Sequence, residues 1–255
     1  MSGNYCRGMT TPTRRILATS GGFVPGRIQQ TARLGDQILK ALSLTGKTRP
    51  KVCLLQTAMG DDRTRYAMGF EAFNVAGCEV AQLTVFPQPS DDPEALLNSC
   101  DLVWVGGGSV VNLLSLWRIH GFDLAMRSAW ENGVILGGVS AGSICWHSGG
   151  TTDSFGPKLQ PVTNGLGLLP YANGVHYDSE AERRPLLHEL VGNGTLHELA
   201  YATDDRTGIL YEGLDPVEVL TDLPVDPDKG PAAYQVQRSA DGVIETRLRP
   251  GRISR

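Results

Sequence analysis

Apolar residues recur along the chain with two alternating periods. Arg15 to Thr19 forms a short apolar run leading into Ser20-Gly21-Gly22, and from Ile28 to Leu44 the apolar positions take the spacing of an amphipathic helix. Lys51 to Thr57 contains the continuous run Val52-Cys53-Leu54-Leu55 expected of a strand covered on both faces, and a helical pattern follows from Arg63 to Ala76. Further strands are expected at Glu79 to Phe86, Leu102 to Val105 and Gly133 to Val139, with helices over Val110 to Trp117 and Phe122 to Glu131. Such alternation predicts an α/β fold, a single three-layer α/β/α domain around a largely parallel sheet.

Beyond this region the pattern changes. Gly149 to Gly174 is rich in Gly, Thr, Pro and Asn and reads as a long irregular segment that walls a site. A helix is expected over Arg184 to Val191. Short strands follow at Ala200 to Thr203, Gly208 to Tyr211, Val217 to Leu220, Tyr234 to Arg238 and Val243 to Leu248, a C-terminal β-rich extension in the form of a meander. Leu223 to Pro231 reads as an exposed turn, because the remaining stretch of chain is too short to fold alone. The expected division is a tail over 1–13 and one domain over 14–255.

Composition narrows the function. Hydrophobic residues make up 41% and charged residues 20%, an ordinary globular balance. A net charge of -4 supplies no broad positive field, so nucleic acid is not an expected partner. No apolar run is long enough to cross a bilayer, and the polar, basic start lacks a signal-type apolar region; a cytoplasmic protein without a membrane partner is expected. The five cysteines are scattered without metal or redox spacing and read as reduced thiols. A homodimer is left open.

The strongest chemical signal is Gly138-Val139-Ser140-Ala141-Gly142, which fits G-x-S-x-G between a buried strand and a helix expected over Ala141 to His147. A nucleophile elbow is a strained turn, and small residues must flank the serine so that neighbouring backbone can pass closely. Ser140 as a mere helix cap is the plainer alternative. A second loop, Gly106-Gly107-Gly108-Ser109, follows another strand, so an oxyanion would be held by the Ala141 N–H with that of Gly107 or Gly108. An anion site is the alternative for that loop, which fits neither G-x-G-x-x-G nor the P-loop.

A serine nucleophile needs a base. His120, His188 and His197 suit capping or solvated positions, and His147, seven residues along the expected helix, would lie roughly 10 Å from Ser140 along the axis. His176, in Gly174-Val175-His176-Tyr177-Asp178 after the irregular segment, is the preferred base. Asp153, Asp178, Asp204 and Asp205 compete as the carboxylate that fixes its tautomer. An α/β-hydrolase esterase also uses G-x-S-x-G, but there the acid precedes the histidine, whereas Asp205 follows His176. A non-catalytic anion-binding module is the other rival.

Together Ala18-Thr19-Ser20-Gly21-Gly22, Val105 to Ser109, Gly138 to Ser143 and His176-Tyr177-Asp178-Ser179-Glu180 resemble the peptidase E family of aspartyl dipeptidases and cyanophycinases, over nearly the whole chain. The resemblance implies a flavodoxin-like sheet akin to class I glutamine amidotransferases, Ser140 and His176 as nucleophile and base, and no metal or organic cofactor. It offers Asp205 and Asp153 as the acid, with Asp205 ranked first although relatives often carry glutamate there. It also implies a small peptide substrate, with Arg183 or else Arg184 pairing an aspartyl carboxylate. Ser143 stands where aspartyl dipeptidases usually have alanine.

Overall fold

A computed structural model describes residues 12–28, 31–223, 226 and 229–253. The chain opens with β1 (Arg15–Thr19), the hairpin β2 (Phe23–Pro25) and β3 (Ala32–Leu34), then α1 (Asp36–Leu44), β4 (Lys51–Leu55), α2 (Arg63–Val75) and β5 (Glu79–Gln82). It continues through α3 (Pro93–Asn98), β6 (Leu102–Val105), α4 (Val110–His120), α5 (Phe122–Glu131), β7 (Ile135–Val139) and the short α6 (Ala141–Ile144). Next come β8 (His147–Thr152), β9 (Gln160–Val162), β10 (Leu169–Gly174), α7 (Arg183–Gly192) and β11 (Leu199–Thr203). The last strands are β12 (Thr207–Glu212), β13 (Asp215–Thr221), β14 (Ala233–Ser239), β15 (Gly242–Leu248) and β16 (Gly251–Arg252).

Five strands, β1-β7-β6-β4-β5, form the parallel heart of an eight-stranded sheet, which β12, β13 and β16 extend with antiparallel pairing beyond β1. Successive strand residues point to opposite faces. Leu17, Leu54 and Trp104 pack with Ile38 of α1 and Phe73 of α2 on one side. Ile16, Leu55 and Val103 pack with Trp117 of α4 and Met126 of α5 on the other. This is the flavodoxin-like, three-layer α/β arrangement. Because β6, β7 and β1 are neighbours and parallel, the loops after all three emerge at one edge, where open α/β sheets bind ligands.

The structure adds α3, which the periodicity does not predict, ends β5 at Gln82 rather than Phe86, and departs further in four places. The helix expected from Ile28 begins only at Asp36; before it the chain turns back as β2 and β3, and Gly35 N–H donates to Gly22 O at 2.7 Å. The helix after Ser140 stops at Ile144, and His147 already belongs to β8. The segment Gly149 to Gly174 is largely strand: β8, β9 and β10 lie in a second, six-stranded sheet ordered β15-β14-β11-β10-β8-β9. A Cβ on Gly149 would stand 2.2 Å from Val162 O, so a glycine that reads as loop is what lets β8 and β9 pack. Finally, the C-terminal strands are not one meander, since β12, β13 and β16 join the first sheet and β11, β14 and β15 the second.

One face of the second sheet, through Leu169, Tyr201 and Ala233, joins the core shared with α4 and α5; the other packs Ala172, Ala200 and Val236 against Leu187 and Val191 of α7. Cys53, Cys78, Cys100 and Cys145 are buried free thiols. Most of the expected 1–13 tail, Cys6 with it, and part of the turn expected at Leu223 to Pro231 lie outside the described residues. Among the described residues no helix is long and apolar enough to cross a membrane.

Candidate active site

Ser140 sits between β7 and α6 with φ 57° and ψ -114°, a region that costs a non-glycine residue about 1–3 kcal/mol. The surroundings hold it there. Its N–H donates to Thr19 O at 3.0 Å, and its carbonyl accepts from the N–H groups of Ser143 and Ile144 at 2.8 and 2.9 Å. A Cβ on Gly142 would lie 2.3 Å from Val105 O, and one on Gly138 would lie 2.4 Å from Gly142 O. Only glycine lets three segments of backbone converge here. Because α6 is four residues long, its dipole adds little, and any anion at its start is held by individual N–H groups rather than by a long helix.

The glycine loop after β6 is pinned by Gly106 N–H to Leu55 O and Ser109 N–H to Ala58 O, both 2.9 Å. Gly107 faces the serine: a Cβ on it would lie 3.2 Å from Ser140 Cβ. Gly108 has φ 127°. Among the described residues the N–H groups of Gly107, Gly108 and Ala141 have no acceptor. Ser154, beyond β8, closes the far side by accepting the Val110 N–H on its Oγ at 2.9 Å.

His176 arrives from the second sheet, just past β10, and it too is held at positive φ, 53°. Its N–H donates to Ser20 Oγ at 3.0 Å, and Ser20 Oγ in turn lies 2.7 Å from Thr203 Oγ1. Its Nδ1 lies 2.5 Å from Asp205 Oδ1. Asp205 follows β11, the strand paired with β10, and its own N–H donates to Asp178 Oδ1 at 2.8 Å. A histidine whose Nδ1 donates to a carboxylate presents Nε2 as acceptor.

Ser140 and His176 line one cavity of about 500 Å³, together with Gly108, Asp153, Glu180 and Arg183. No hydrogen bond joins the Ser140 hydroxyl to the His176 ring, and such contacts commonly tighten only when substrate is bound. Of the competing carboxylates, Asp205 alone bonds the His176 ring. Asp153 lines the cavity, exposed and without a partner for its carboxylate among the described residues. Asp178 supports Asp205. Asp204 is buried, accepts the Ala232 N–H and the Tyr234 hydroxyl on Oδ2, and has its carboxyl pushed upward by burial.

His147 is fully buried with Nδ1 2.9 Å from Ser143 O, and burial pulls its pKa down to about 4 against a smaller opposing effect of that carbonyl. It lies outside the cavity. Arg183 is buried at its edge, with Nε 2.7 Å from Glu180 Oε2 and Nη1 donating to Thr151 O at 2.6 Å. Arg184 is elsewhere: its guanidinium lies 4.7 and 4.5 Å from the ring centroids of Tyr177 and Tyr234, and Nη1 pairs with Glu245. Stacked and paired in this way, it does not reach the cavity. Ser143 directs its hydroxyl to Asn173 Oδ1 at 3.0 Å, away from the site.

Sequence reasoning assigned no role to Glu180, Ser20 or Ser154. Ser20 and Glu180 both fall in the motifs quoted above, and Glu180 also stands three residues before the arginine it pairs with. Among the described residues no three His, Cys, Asp or Glu side chains gather as a metal site requires.

A solved structure of a peptidase from an acI-B1 Actinobacterium superposes with a TM-score of 0.69 over 96% of this chain and 98% of that one, at 17% identity. A putative peptidase E protein from Listeria monocytogenes EGD-e gives 0.56 over 82% and 98%, at 16% identity. These two show the shared fold. A Bacillus subtilis protein named "Uncharacterized peptidase YgaJ" is 38% identical over 236 residues, 92% of this chain and 97% of the relative. Peptidase E of Shewanella denitrificans is 33% identical over 91 residues, 35% of this chain and 39% of its own length. The family model described as Peptidase family S51 matches residues 16–217, and the chain therefore belongs to peptidase family S51.

Proposed function

We propose that Ser140 is the nucleophile of a dipeptidase, His176 its base and Asp205 the residue that orients the base. The carrying observation is that a strained serine and an Nδ1-bonded histidine, brought from two different sheets, open onto the same cavity. His176 Nε2 takes the Ser140 proton as Oγ attacks the scissile carbonyl. The Ala141 N–H and that of Gly107 or Gly108 receive the oxyanion. His176 then gives the proton to the leaving amine, and water, activated by the same ring, releases the acid from Ser140.

Charge at the cavity supports an exopeptidase. With Glu180 paired to Arg183, the unpaired Asp153 leaves net negative charge beside Ser140, where the ammonium group of a substrate's first residue would be welcome. A preference for an aspartyl first residue rests on Arg183, whose guanidinium would be shared between that carboxylate and Glu180. The test is turnover of Asp-Leu, Leu-Leu and N-acetylated Asp-Leu by the wild type and Ser140→Ala. The expected result is loss of at least about 10⁴-fold in kcat on Ser140→Ala, with the acetylated peptide a poor substrate. Equal turnover by the two proteins contradicts the nucleophile assignment.

A further inference from the structure

A second cavity, of about 310 Å³, adjoins the first and has no part in the proposed chemistry. It lies at the same sheet edge. Gly106, Gly107 and Val139 form its inner wall, while the adjacent Gly108 and Ser140 belong to the first cavity, so the glycine loop is a partition between the two. Phe23, Met59, Met68 and Trp104 make the rest of it largely apolar, and the Phe23 ring stands edge-on to Trp104 with centroids 6.1 Å apart. The size and character are those of a site for a small ligand: mostly apolar, at the low end of roughly 300–1,000 Å³, with few polar groups converging on it.

Two such polar groups are present, and among the described residues neither side chain is bonded within the protein. Gln56, at the end of β4, is only 8% exposed, yet its side-chain amide has no hydrogen-bond partner among the described residues. It is packed so closely to the loop that a Cβ on Gly106 would lie 2.2 Å from its Oε1. The amide lines the cavity without a partner in the protein, and a ligand's peptide group would pair with it there. Arg65 lies in the first turn of α2, where a cation opposes the helix dipole, and among the described residues it has no ion-pair partner. Its exposed guanidinium is open to an anion at the cavity rim.

We infer that this cavity takes the residue on the leaving side of the scissile bond. An apolar side chain of leucine to phenylalanine size packs among Phe23, Met59, Met68 and Trp104, the Gln56 amide bonds its backbone, and Arg65 pairs with its free carboxylate. Adjacent Cα atoms are about 3.8 Å apart, and Gly107, which lines this cavity, is near enough to Ser140 that a Cβ on it would lie 3.2 Å from the Ser140 Cβ, so a dipeptide with its carbonyl over Ser140 spans the partition. The assignment rests on the dipeptidase reading and names its substrate class: dipeptides whose second residue is large and apolar.

The experiment has a kinetic arm and a binding arm. Asp-Phe and Asp-Gly, then Ala-Phe and Ala-Gly, are compared as substrates of the wild type. The same four are titrated calorimetrically into Ser140→Ala, where no turnover is needed. The phenylalanyl peptides should exceed their glycyl partners about 10- to 100-fold in kcat/KM and in affinity. Ala32→Trp, at the cavity wall, should bring Asp-Phe down towards Asp-Gly, and converting Asp-Phe to its amide should weaken binding in the Arg65 protein but not in Arg65→Gln. Equal kinetics and equal affinities within each pair overturn the pocket while leaving a serine peptidase intact. A preference in binding, with turnover unaffected by Ser140→Ala, keeps the pocket and removes the catalytic reading. Neither binding nor turnover of any of the four removes both.

Discussion

Ser140 stands on a turn shaped by glycines two residues to either side, whereas His176 is held by Ser20, 156 residues away, and by Asp205, 29 residues away. The first half of the site is therefore a local device. Gly138 and Gly142 give the backbone room, α6 begins at once, and the first sheet fixes the whole turn through Thr19. The second half is a tertiary one: β10 and β11 must pair in parallel before the loops after them can bring His176 and Asp205 together. A serine built this way is fixed by its own neighbours, while the placement of His176 depends on the junction between the two sheets.

That difference makes the base half the more informative one to disturb. The largest effect is expected from Asp205→Asn, which keeps shape but removes the charge that fixes the ring tautomer. It should lower kcat by on the order of 10³ to 10⁴, with binding of an uncleaved peptide little changed. A loss of only a few-fold would shift the orienting role to Asp153 or dispense with it. A smaller effect, on stability and not on chemistry, should come from the other buried histidine. His147 is neutral in the folded protein until about pH 4 but protonates near 6.5 when unfolded. The unfolded chain thus binds the extra proton between these values, so stability is full above about 6.5 and declines as pH falls towards 4, by a few kcal/mol in all. Thermal melts of His147→Gln should show a flatter acid limb than the wild type; identical limbs would assign the loss to other groups.

The same contrast explains what could be read from the chain. The local half was legible, because a buried strand, three small residues around a serine and a second glycine loop are all patterns of near neighbours. So were most elements of the first sheet, where continuous apolar runs such as Val52 to Leu55 mark strands covered on both faces. The second sheet was not. Gly149, Gly150 and Gly165 look like loop residues, yet each sits where a Cβ would strike backbone of another segment, so their role is visible only once β8 and its neighbours are assembled. The helix expected from Ile28 failed for a related reason. Asp222, distant in sequence, takes the N–H groups of Gly22 and Gln37 and sets where α1 begins. Asp205 was ranked ahead of Asp153 through the resemblance alone; whether so short a side chain reaches the His176 ring depends on how β11 ends beside β10, which no local pattern carries. Arg183 and Arg184 are adjacent, and only the turn into α7 decides that one lines the cavity while the other stacks on tyrosines.

The most direct measurement is covalent labelling by a serine-directed fluorophosphonate, followed by peptide mapping of the wild type and His176→Ala. The account predicts one adduct, on Ser140, formed at least about 10²-fold more slowly when the imidazole is removed. An unlabelled Ser140, or labelling at the same rate without His176, would contradict it.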